Sequence, residues 1–252
     1  MEITSTAQLD GGIVERRFTV AGAGGRPVPG VLWTKAGTSE PTPLVLLMHG
    51  GSGSKTNAGI LSQRDHYTGR HGIATAAIDG PAHGDRGGVT SIFEPEYAEM
   101  WRRPRVVDDM NMDLAATLDA LLALGEFDPA AVGWHGLSFG SMLGVPYVAT
   151  EPRIAVAVLG LCGLRGPSVD RAGISEQLKA DAPRITCPVY SQVQWDDERF
   201  DRDSALELYD LIGSKDKRLQ STPGPHGGVS VEARDALLAF LIALLTALHT
   251  SA

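Results

Sequence analysis

The sequence of 252 residues lacks several features that define whole classes of protein. It has only two cysteines, Cys162 and Cys187, which excludes a disulfide framework, and each lies in an apolar run that predicts a buried strand. An excess of basic residues is also missing: 22 Lys and Arg against 30 Asp and Glu give a net charge of -8, which argues against nucleic acid as a partner. Hydrophobic residues make up 43% of the chain, as in an ordinary globular protein.

Long apolar runs and targeting signals are absent from the sequence. The longest apolar stretch, 236–248, has 13 residues and is interrupted by Thr246, whereas a membrane-spanning helix needs about 20. Residues 1–4 show neither the basic nor the apolar region of a secretory signal. We therefore expect a cytoplasmic protein, monomeric or homodimeric, that acts without a membrane partner.

The pattern of strands predicts the architecture. Two β-rich segments, 13–20 and 28–34, are joined by a Gly-rich turn and predict an antiparallel hairpin. From residue 43 onward, short apolar runs alternate with longer amphipathic stretches, which is typical of parallel strands covered by helices on both faces. The predicted strands are 44–48, 73–78, 131–134, 154–161, 189–193 and 218–221.

Helices are predicted between these strands. Apolar residues recur at helical spacing over 107–122, and a small helix is expected at 175–180. Ser204 and Glu207 form a capping box that predicts the start of another helix, with Gly213 at its C-cap, and the final helix is expected to begin near Ser230.

Together these elements predict an α/β fold in a single domain over residues 1–252. The sheet is expected to be mostly parallel and doubly wound, with an N-terminal antiparallel hairpin and helices on both faces. In such sheets the ligand site lies outside the carboxyl ends of the strands.

A candidate nucleophile follows the strand predicted at 131–134. Gly136 and Gly140 flank Ser138 in a G-x-S-x-G pattern, and a helix-compatible run comes next. This strand, turn and helix context is that of a nucleophile elbow, where glycines permit a strained backbone and exclude side chains that would collide with the neighbouring chain. Ser138 is therefore the predicted nucleophile.

A serine nucleophile requires a histidine base and an acid that orients it, in the chain order Ser, acid, His. Only His226 and His249 follow Ser138, and His249 lies near the end of the last predicted helix. His226 follows the last predicted strand and is the predicted base. Among the three acids after the strand 189–193, we choose Asp197, with Asp196 in reserve, and expect the other acids to be solvated or to pair with Arg199.

Acyl transfer also needs hydrogen-bond donors for the oxyanion. The backbone N–H of Phe139, directly after the nucleophile, is one predicted donor. The second is expected from the Gly-rich loop after the strand 44–48, where we nominate Gly51, with Ser52 in reserve. Ser52 is also a candidate for substrate binding.

These motifs together resemble the α/β-hydrolase superfamily, in particular its small dienelactone-hydrolase-like and esterase-like members. The resemblance runs from about residue 44 to the end of the chain. It rests on four motifs in the family order: 49–51, 79–84, the elbow at Ser138, and the loops of Asp197 and His226. It implies an α/β-hydrolase fold and a serine hydrolase that cleaves small or medium carboxylic esters through an acyl-enzyme.

The residue type at position 138 narrows that resemblance. Dienelactone hydrolases proper carry cysteine at the nucleophile position, and haloalkane dehalogenases and epoxide hydrolases carry Asp, so Ser138 argues against those activities. Thioesters, lactones and short peptides pass through the same tetrahedral intermediate as esters, which leaves a thioesterase, lactonase or peptidase open. A non-catalytic binding protein on this fold is a further alternative.

Two cofactor-binding motifs are only partly matched. The segment 50–56 resembles a phosphate-binding loop, but a P-loop requires glycine where this chain has His49 and Ser54. No G-x-G-x-x-G pattern and no metal-ligand pattern such as H-E-x-x-H occurs. We expect neither a cofactor nor a metal, and a small-molecule ester as the partner.

Two further segments bear on the substrate site. In 79–86, Asp79 and His83 are expected to hold the loop backbone, with substrate contact by His83 as the alternative. The long excursion 87–106 concentrates the chain's scarce aromatic residues and is predicted to be a minimal lid, with Phe93 and Trp101 touching the substrate. The alternative is that its side chains only anchor it to the core.

Overall fold

One sheet of nine strands forms the centre of the fold within residues 1–251, which the computed structural model describes. The strands are β1 Glu2–Leu9, β2 Ile13–Ala21, β3 Pro27–Lys35, β4 Thr42–Met48, β5 Ala74–Ile78, β6 Phe127–Gly136, β7 Ile154–Gly160, β8 Val189–Gln194 and β9 Lys217–Thr222. Their spatial order is β1-β2-β3-β5-β4-β6-β7-β8-β9. The pairs β1–β2, β2–β3 and β3–β5 are antiparallel, and the other five pairs are parallel. The structure confirms the predicted α/β sheet with an antiparallel start.

The strand predictions missed β1. Seven of its eight residues are exposed and only Leu9 is partly buried, so the strand has no apolar face to produce an alternating pattern. The predicted positions of the cysteines were also wrong. Cys162 follows the end of β7, and Cys187 precedes β8, so both lie in loops.

Helices cover both faces of the sheet. They are α1 Ala58–Arg64, α2 Pro95–Arg102, α3 Val106–Leu122, α4 Phe139–Thr150, α5 Pro167–Ala172, α6 Ser175–Asp181, α7 Arg202–Leu211 and α8 Val231–Thr250. Alternate residues of β4 face opposite layers, because side chains alternate along a strand. Leu46 packs in the layer of α3 and α4, whereas Leu47 packs in the layer of α1 and α8.

The predicted capping box at Ser204 was wrong. Helix α7 begins at Arg202, after an N-cap at Asp201. The Ser204 hydroxyl instead accepts a hydrogen bond from the Arg165 N–H at 3.1 Å and lies 3.0 Å from the Arg165 carbonyl oxygen. A tertiary contact therefore occupies the side chain that the local pattern assigned to capping.

Gly213 follows the C-cap residue of α7, Ile212. A Cβ atom at Gly213 would lie 2.0 Å from the Pro183 carbonyl oxygen, so the close approach of that backbone requires glycine. None of the helices in the described part of the chain combines the length and the apolar character that crossing a bilayer requires.

Candidate active site

Ser138 lies at a sharp turn between β6 and α4. Its backbone has φ 59° and ψ -118°, a conformation that side-chain-bearing residues rarely adopt. The flanking glycines make this turn possible. A Cβ atom at Gly136 would lie 2.7 Å from the Gly140 carbonyl oxygen, and one at Gly140 would lie 2.8 Å from the Met48 carbonyl oxygen. The G-x-S-x-G motif thus adopts the elbow geometry that the sequence predicted.

The structure brings Ser138, His226 and Asp197 together. His226 Nε2 lies 2.8 Å from Ser138 Oγ, and His226 Nδ1 lies 2.8 Å from Asp197 Oδ2. Asp197 follows β8 and His226 follows β9, so neighbouring parallel strands deliver both side chains to the edge where Ser138 sits. The side chains of His226 and Asp197 are only 12% and 5% exposed.

The three consecutive acids after β8 all accept hydrogen bonds, either from the loop that carries His226 or from the backbone of their own turn. Asp196 Oδ2 accepts a hydrogen bond from the Gly224 N–H at 3.0 Å, and Glu198 Oε2 accepts one from the His226 N–H at 2.9 Å. Asp197 Oδ1 accepts the N–H of Arg199 at 2.8 Å, while Oδ2 contacts the imidazole. Asp197 is therefore the one of the three acids that contacts the imidazole, whereas Asp196 and Glu198 bind backbone N–H groups of the histidine loop, contacts that the sequence did not predict.

The accepted hydrogen bond also affects the Glu198 carboxyl group. The His226 N–H holds the pKa of Glu198 below its usual value, because a hydrogen bond to the charged form stabilises that form. The bond is therefore strongest while Glu198 is ionised.

Two backbone N–H groups are candidates for binding an oxyanion. Phe139 is the first residue of α4 and directly follows Ser138, so its N–H has no partner inside the helix. Gly51 is buried in the loop after β4, and a Cβ atom there would lie 2.6 Å from Ile92 Cγ2. A side chain at position 51 would therefore clash with the Ile92 side chain on the cavity wall.

Buried polar groups hold the loop that carries Gly51. Lys55 Nζ lies 2.5 Å from Asp79 Oδ2, and the two side chains are only 4% and 0% exposed. His49 Nε2 accepts the Gly80 N–H at 2.9 Å, and burial lowers the pKa of His49 to about 4. His49 is therefore a neutral hydrogen-bond acceptor near neutral pH.

A cavity of about 350 Å³ opens beside Ser138. It is lined by Gly50, Gly51, Ser52, Gly53, Asn57, Ile92, Tyr97, Ser138, Met142, Ser168, Arg199 and His226. The predicted residues Gly51, Ser52, Ser138 and His226 are among them. Arg199 was not predicted as a site residue, although it lies only two residues after Asp197.

The other three predicted substrate residues lie outside that lining within residues 1–251. His83 is fully buried, and its Nε2 lies 2.9 Å from the Gly51 carbonyl oxygen. It therefore holds the backbone of the loop after β4 from the protein interior. Trp101 is 5% exposed and its ring packs against Phe139 with centroids 5.6 Å apart. Phe93 is 76% exposed on the rim.

The excursion 87–106 combines the two predicted roles. Tyr97, Met100 and Trp101 share one face of α2 and are buried in the core, which anchors the segment. Ile92 and Tyr97 also form part of the cavity wall. The segment is therefore anchored through one set of side chains and shapes the cavity through an overlapping set.

The remaining downstream histidine lies elsewhere. His249 Nδ1 is 2.8 Å from Asp128 Oδ2, in a pair at the end of α8. Within residues 1–251, no group of three or more His, Cys, Asp or Glu side chains is arranged to hold a metal ion.

Solved structures with the same fold include several esterases. The chain is similar to a cold-adapted esterase from an Arctic intertidal metagenomic library, with 36% identity, a TM-score of 0.85 and coverage of 97% of this chain and 99% of that chain. It shares its fold with an acetyl xylan esterase from Paenibacillus sp. R4, at 18% identity and a TM-score of 0.78 over 97% of this chain and 90% of that one. A scan against protein-family models and a search of curated proteins each gave no match.

Proposed function

The chain belongs to the esterase family of the α/β-hydrolase superfamily, and on this premise we propose that it hydrolyses small or medium carboxylic esters through an acyl-enzyme on Ser138. The observation that carries the proposal is the continuous contact from Ser138 through His226 to Asp197, with two distances of 2.8 Å. Both distances are within hydrogen-bond reach, as a nucleophile, its base and the orienting acid require.

In the first step, the Ser138 hydroxyl donates its proton to His226 Nε2 as its oxygen attacks the ester carbonyl carbon. The imidazole becomes positively charged, and the Asp197 carboxylate stabilises it through Nδ1. The N–H groups of Gly51 and Phe139 donate hydrogen bonds to the oxygen that becomes negative. The N-terminus of α4 adds a favourable dipole at this point.

The tetrahedral intermediate then collapses to products. His226 gives its proton to the leaving alcohol oxygen, and the acyl group remains on Ser138. A water molecule next donates a proton to His226 and attacks the acyl carbon, which forms a second tetrahedral intermediate. As the bond between the acyl carbon and Ser138 Oγ breaks, His226 returns that proton to Oγ, which restores the hydroxyl and releases the carboxylic acid. The cavity of about 350 Å³ suits substrates of small to medium size.

Labelling and turnover together test the proposal. We expect a fluorophosphonate to label the wild-type protein stoichiometrically at Ser138, and p-nitrophenyl esters of short acyl chains to be hydrolysed. The Ser138→Ala variant should lose both properties, whereas Ser39→Ala, which changes an exposed serine, should keep both. Wild-type protein that is neither labelled nor active on any ester in the series would instead indicate a binding protein.

The same series separates related acyl-transfer activities. Thioester, lactone and amide analogues of the preferred p-nitrophenyl ester share its tetrahedral intermediate, so only relative kcat/KM values distinguish them. An ester hydrolase should favour the oxygen ester over the amide by several orders of magnitude. A preference for the thioester or the lactone would redefine the substrate class and leave the roles of Ser138 and His226 unchanged.

A further inference from the structure

We propose that Arg199 makes the cavity selective for esters that carry a carboxylate group, with the guanidinium binding that carboxylate while Ser138 attacks the ester carbonyl. This inference rests on the proposed esterase function and specifies its substrate class.

The position of Arg199 ties it to the candidate active site. It lines the same cavity as Ser138 and His226. Its backbone N–H donates a hydrogen bond to Asp197 Oδ1 at 2.8 Å, so the residue is held directly beside the proposed triad acid. Its side chain is 27% exposed, which leaves it accessible to a ligand from the cavity mouth.

The charges around the cavity favour an anion. Among the described residues that line it, Arg199 is the only Lys or Arg, and no Asp or Glu is present. The chain as a whole has a net charge of -8, so the permanent charge on this wall is opposite in sign to that of the whole protein. A cleft whose lining charge has one sign raises the local concentration of ligands of the opposite sign.

Arg199 retains hydrogen-bond donors for a ligand. Its Nε lies 3.5 Å from Oε1 of Glu198, and the other oxygen of Glu198 accepts the His226 N–H. Within residues 1–251, Nη1 and Nη2 of Arg199 donate no hydrogen bond to protein groups. A guanidinium edge with two such donors matches a carboxylate, which accepts two parallel hydrogen bonds.

A second arginine strengthens the positive potential at the rim. Arg171 Nη1 donates a hydrogen bond to the Ile92 carbonyl oxygen at 2.7 Å. Burial raises the pKa of the Tyr97 phenol, and the charges of Arg171 and Arg199 oppose that rise. Both cations therefore act on a hydroxyl group that lies on the cavity wall.

The same contacts also allow a purely structural role. The Arg199 guanidinium carbon lies 5.5 Å from the centroid of the Phe93 ring, and Arg171 binds the carbonyl of the preceding residue. The two arginines could thus fasten the rim of the cavity. If Arg199 only holds the rim in place, so that it is a rim fastener, its removal should lower kcat/KM for neutral and anionic esters alike. If it binds the carboxylate, its removal should lower kcat/KM only for the anionic esters.

Matched substrate pairs separate these roles. On the acyl side, p-nitrophenyl hemisuccinate carries a carboxylate where p-nitrophenyl butyrate has a methyl group. On the alcohol side, 3-carboxyphenyl acetate is compared with phenyl acetate. We would measure kcat/KM for both pairs with wild type, Arg199→Gln, Arg199→Lys and the control Arg165→Gln, which alters an exposed arginine paired with Glu207.

We expect Arg199→Gln to lower kcat/KM for the anionic member of at least one pair by about tenfold or more, as a hydrogen bond between charged groups predicts. The neutral members should stay within about twofold of wild type, which also shows that the variant folds. Arg199→Lys should lose less than Arg199→Gln, and Arg165→Gln should match wild type. Added salt should reduce the wild-type preference for the anionic member.

Three results would overturn the inference. An equal loss for neutral and anionic members would make Arg199 a rim fastener. Wild-type enzyme that hydrolyses the neutral esters but shows no Arg199-dependent preference in either pair would refute carboxylate binding while the proposed function stands. A wild-type protein that is inactive on all four esters and is not labelled by the fluorophosphonate would refute both proposals together.

Discussion

The two sides of Ser138 are held by different kinds of interaction. The oxyanion side, residues 49–57, is fixed from the interior by the buried pair of Lys55 with Asp79 and by the neutral imidazole of His49. The histidine side, residues 195–199 and 223–228, is fixed near the surface, where carboxylates accept backbone N–H groups; Glu198, for example, is 55% exposed.

Because of this difference, we expect the oxyanion side to affect mainly the stability of the fold and the histidine side to affect mainly catalysis. A buried ion pair is little screened by solvent, and removing one partner leaves an unpaired charge in the interior, so the oxyanion side should contribute strongly to folding. Exposed carboxylates contribute little to folding. On the histidine side, substitutions should therefore act mainly through the position and tautomer of His226.

The largest expected effect is on the histidine side. Asp197→Asn should lower kcat by about 10⁴-fold, because an amide can donate to Nδ1 and thereby favours the wrong imidazole tautomer. Asp196→Asn should cost far less, since its side-chain oxygen can still accept the Gly224 N–H. Steady-state kinetics on p-nitrophenyl acetate measures both variants, and the reverse ranking would make Asp196, not Asp197, the acid of the proposed triad.

The next effect is on folding and belongs to the oxyanion side. Lys55→Met should lower the free energy of unfolding by about 3–5 kcal/mol, because Asp79 would remain buried without its cation. Lys179→Met, which removes the exposed partner of Glu176, is the control and should change it by less than about 0.5 kcal/mol. Urea titration measures both. A loss under about 1 kcal/mol for Lys55→Met would contradict the buried-pair account of this side.

Acid should also destabilise the oxyanion side through His49. His49 is held neutral, with a pKa lowered by burial from 6.5 to about 4, so between these values the unfolded chain binds a proton that the native protein does not. Stability should therefore be complete above pH 6.5 and fall as the pH drops toward 4, by up to about 3 kcal/mol from this residue.

The His49→Gln variant isolates that contribution. Its free energy of unfolding should depend less steeply on pH between 6.5 and 4 than that of wild type, whereas His71→Gln, at an exposed position, should keep a slope close to that of wild type. Urea titrations at several pH values give these slopes. Identical slopes for wild type and His49→Gln would show that His49 does not contribute to the acid sensitivity of the fold.

The sequence predicts the histidine side better than the cavity wall. Ser138 and His226 follow from a local motif, chain order and the ends of parallel strands, all of which can be read from short segments. The prediction of Asp197 is less direct, because it depends on which of three adjacent carboxylates turns toward the imidazole. That choice is made by the turn after β8, where Asp197 also accepts the Arg199 N–H.

The cavity wall depends on how distant segments pack. Phe93 and Trp101 were chosen for their size, yet α2 turns Trp101 inward against Phe139, while Phe93 precedes the helix and remains on the rim. Tyr97 lies one turn before Trp101 on the same face and reaches the space beside Gly51. Spacing along the chain shows that these residues share a face but does not show which of them ends at the cavity.

The smallest expected effect tests the surface contact on the histidine side. Glu198→Gln should change kcat by less than about threefold, because its side-chain oxygen can still accept the His226 N–H. Glu198→Ala removes the acceptor and should lower kcat by about tenfold or less, with the free energy of unfolding within about 0.5 kcal/mol of wild type. Glu207→Gln, which alters another exposed carboxylate, is the matched control and should leave kcat unchanged. If Glu198→Ala instead destabilised the fold as much as Lys55→Met, the histidine side would share the structural role of the oxyanion side, and the distinction between the two sides would fail.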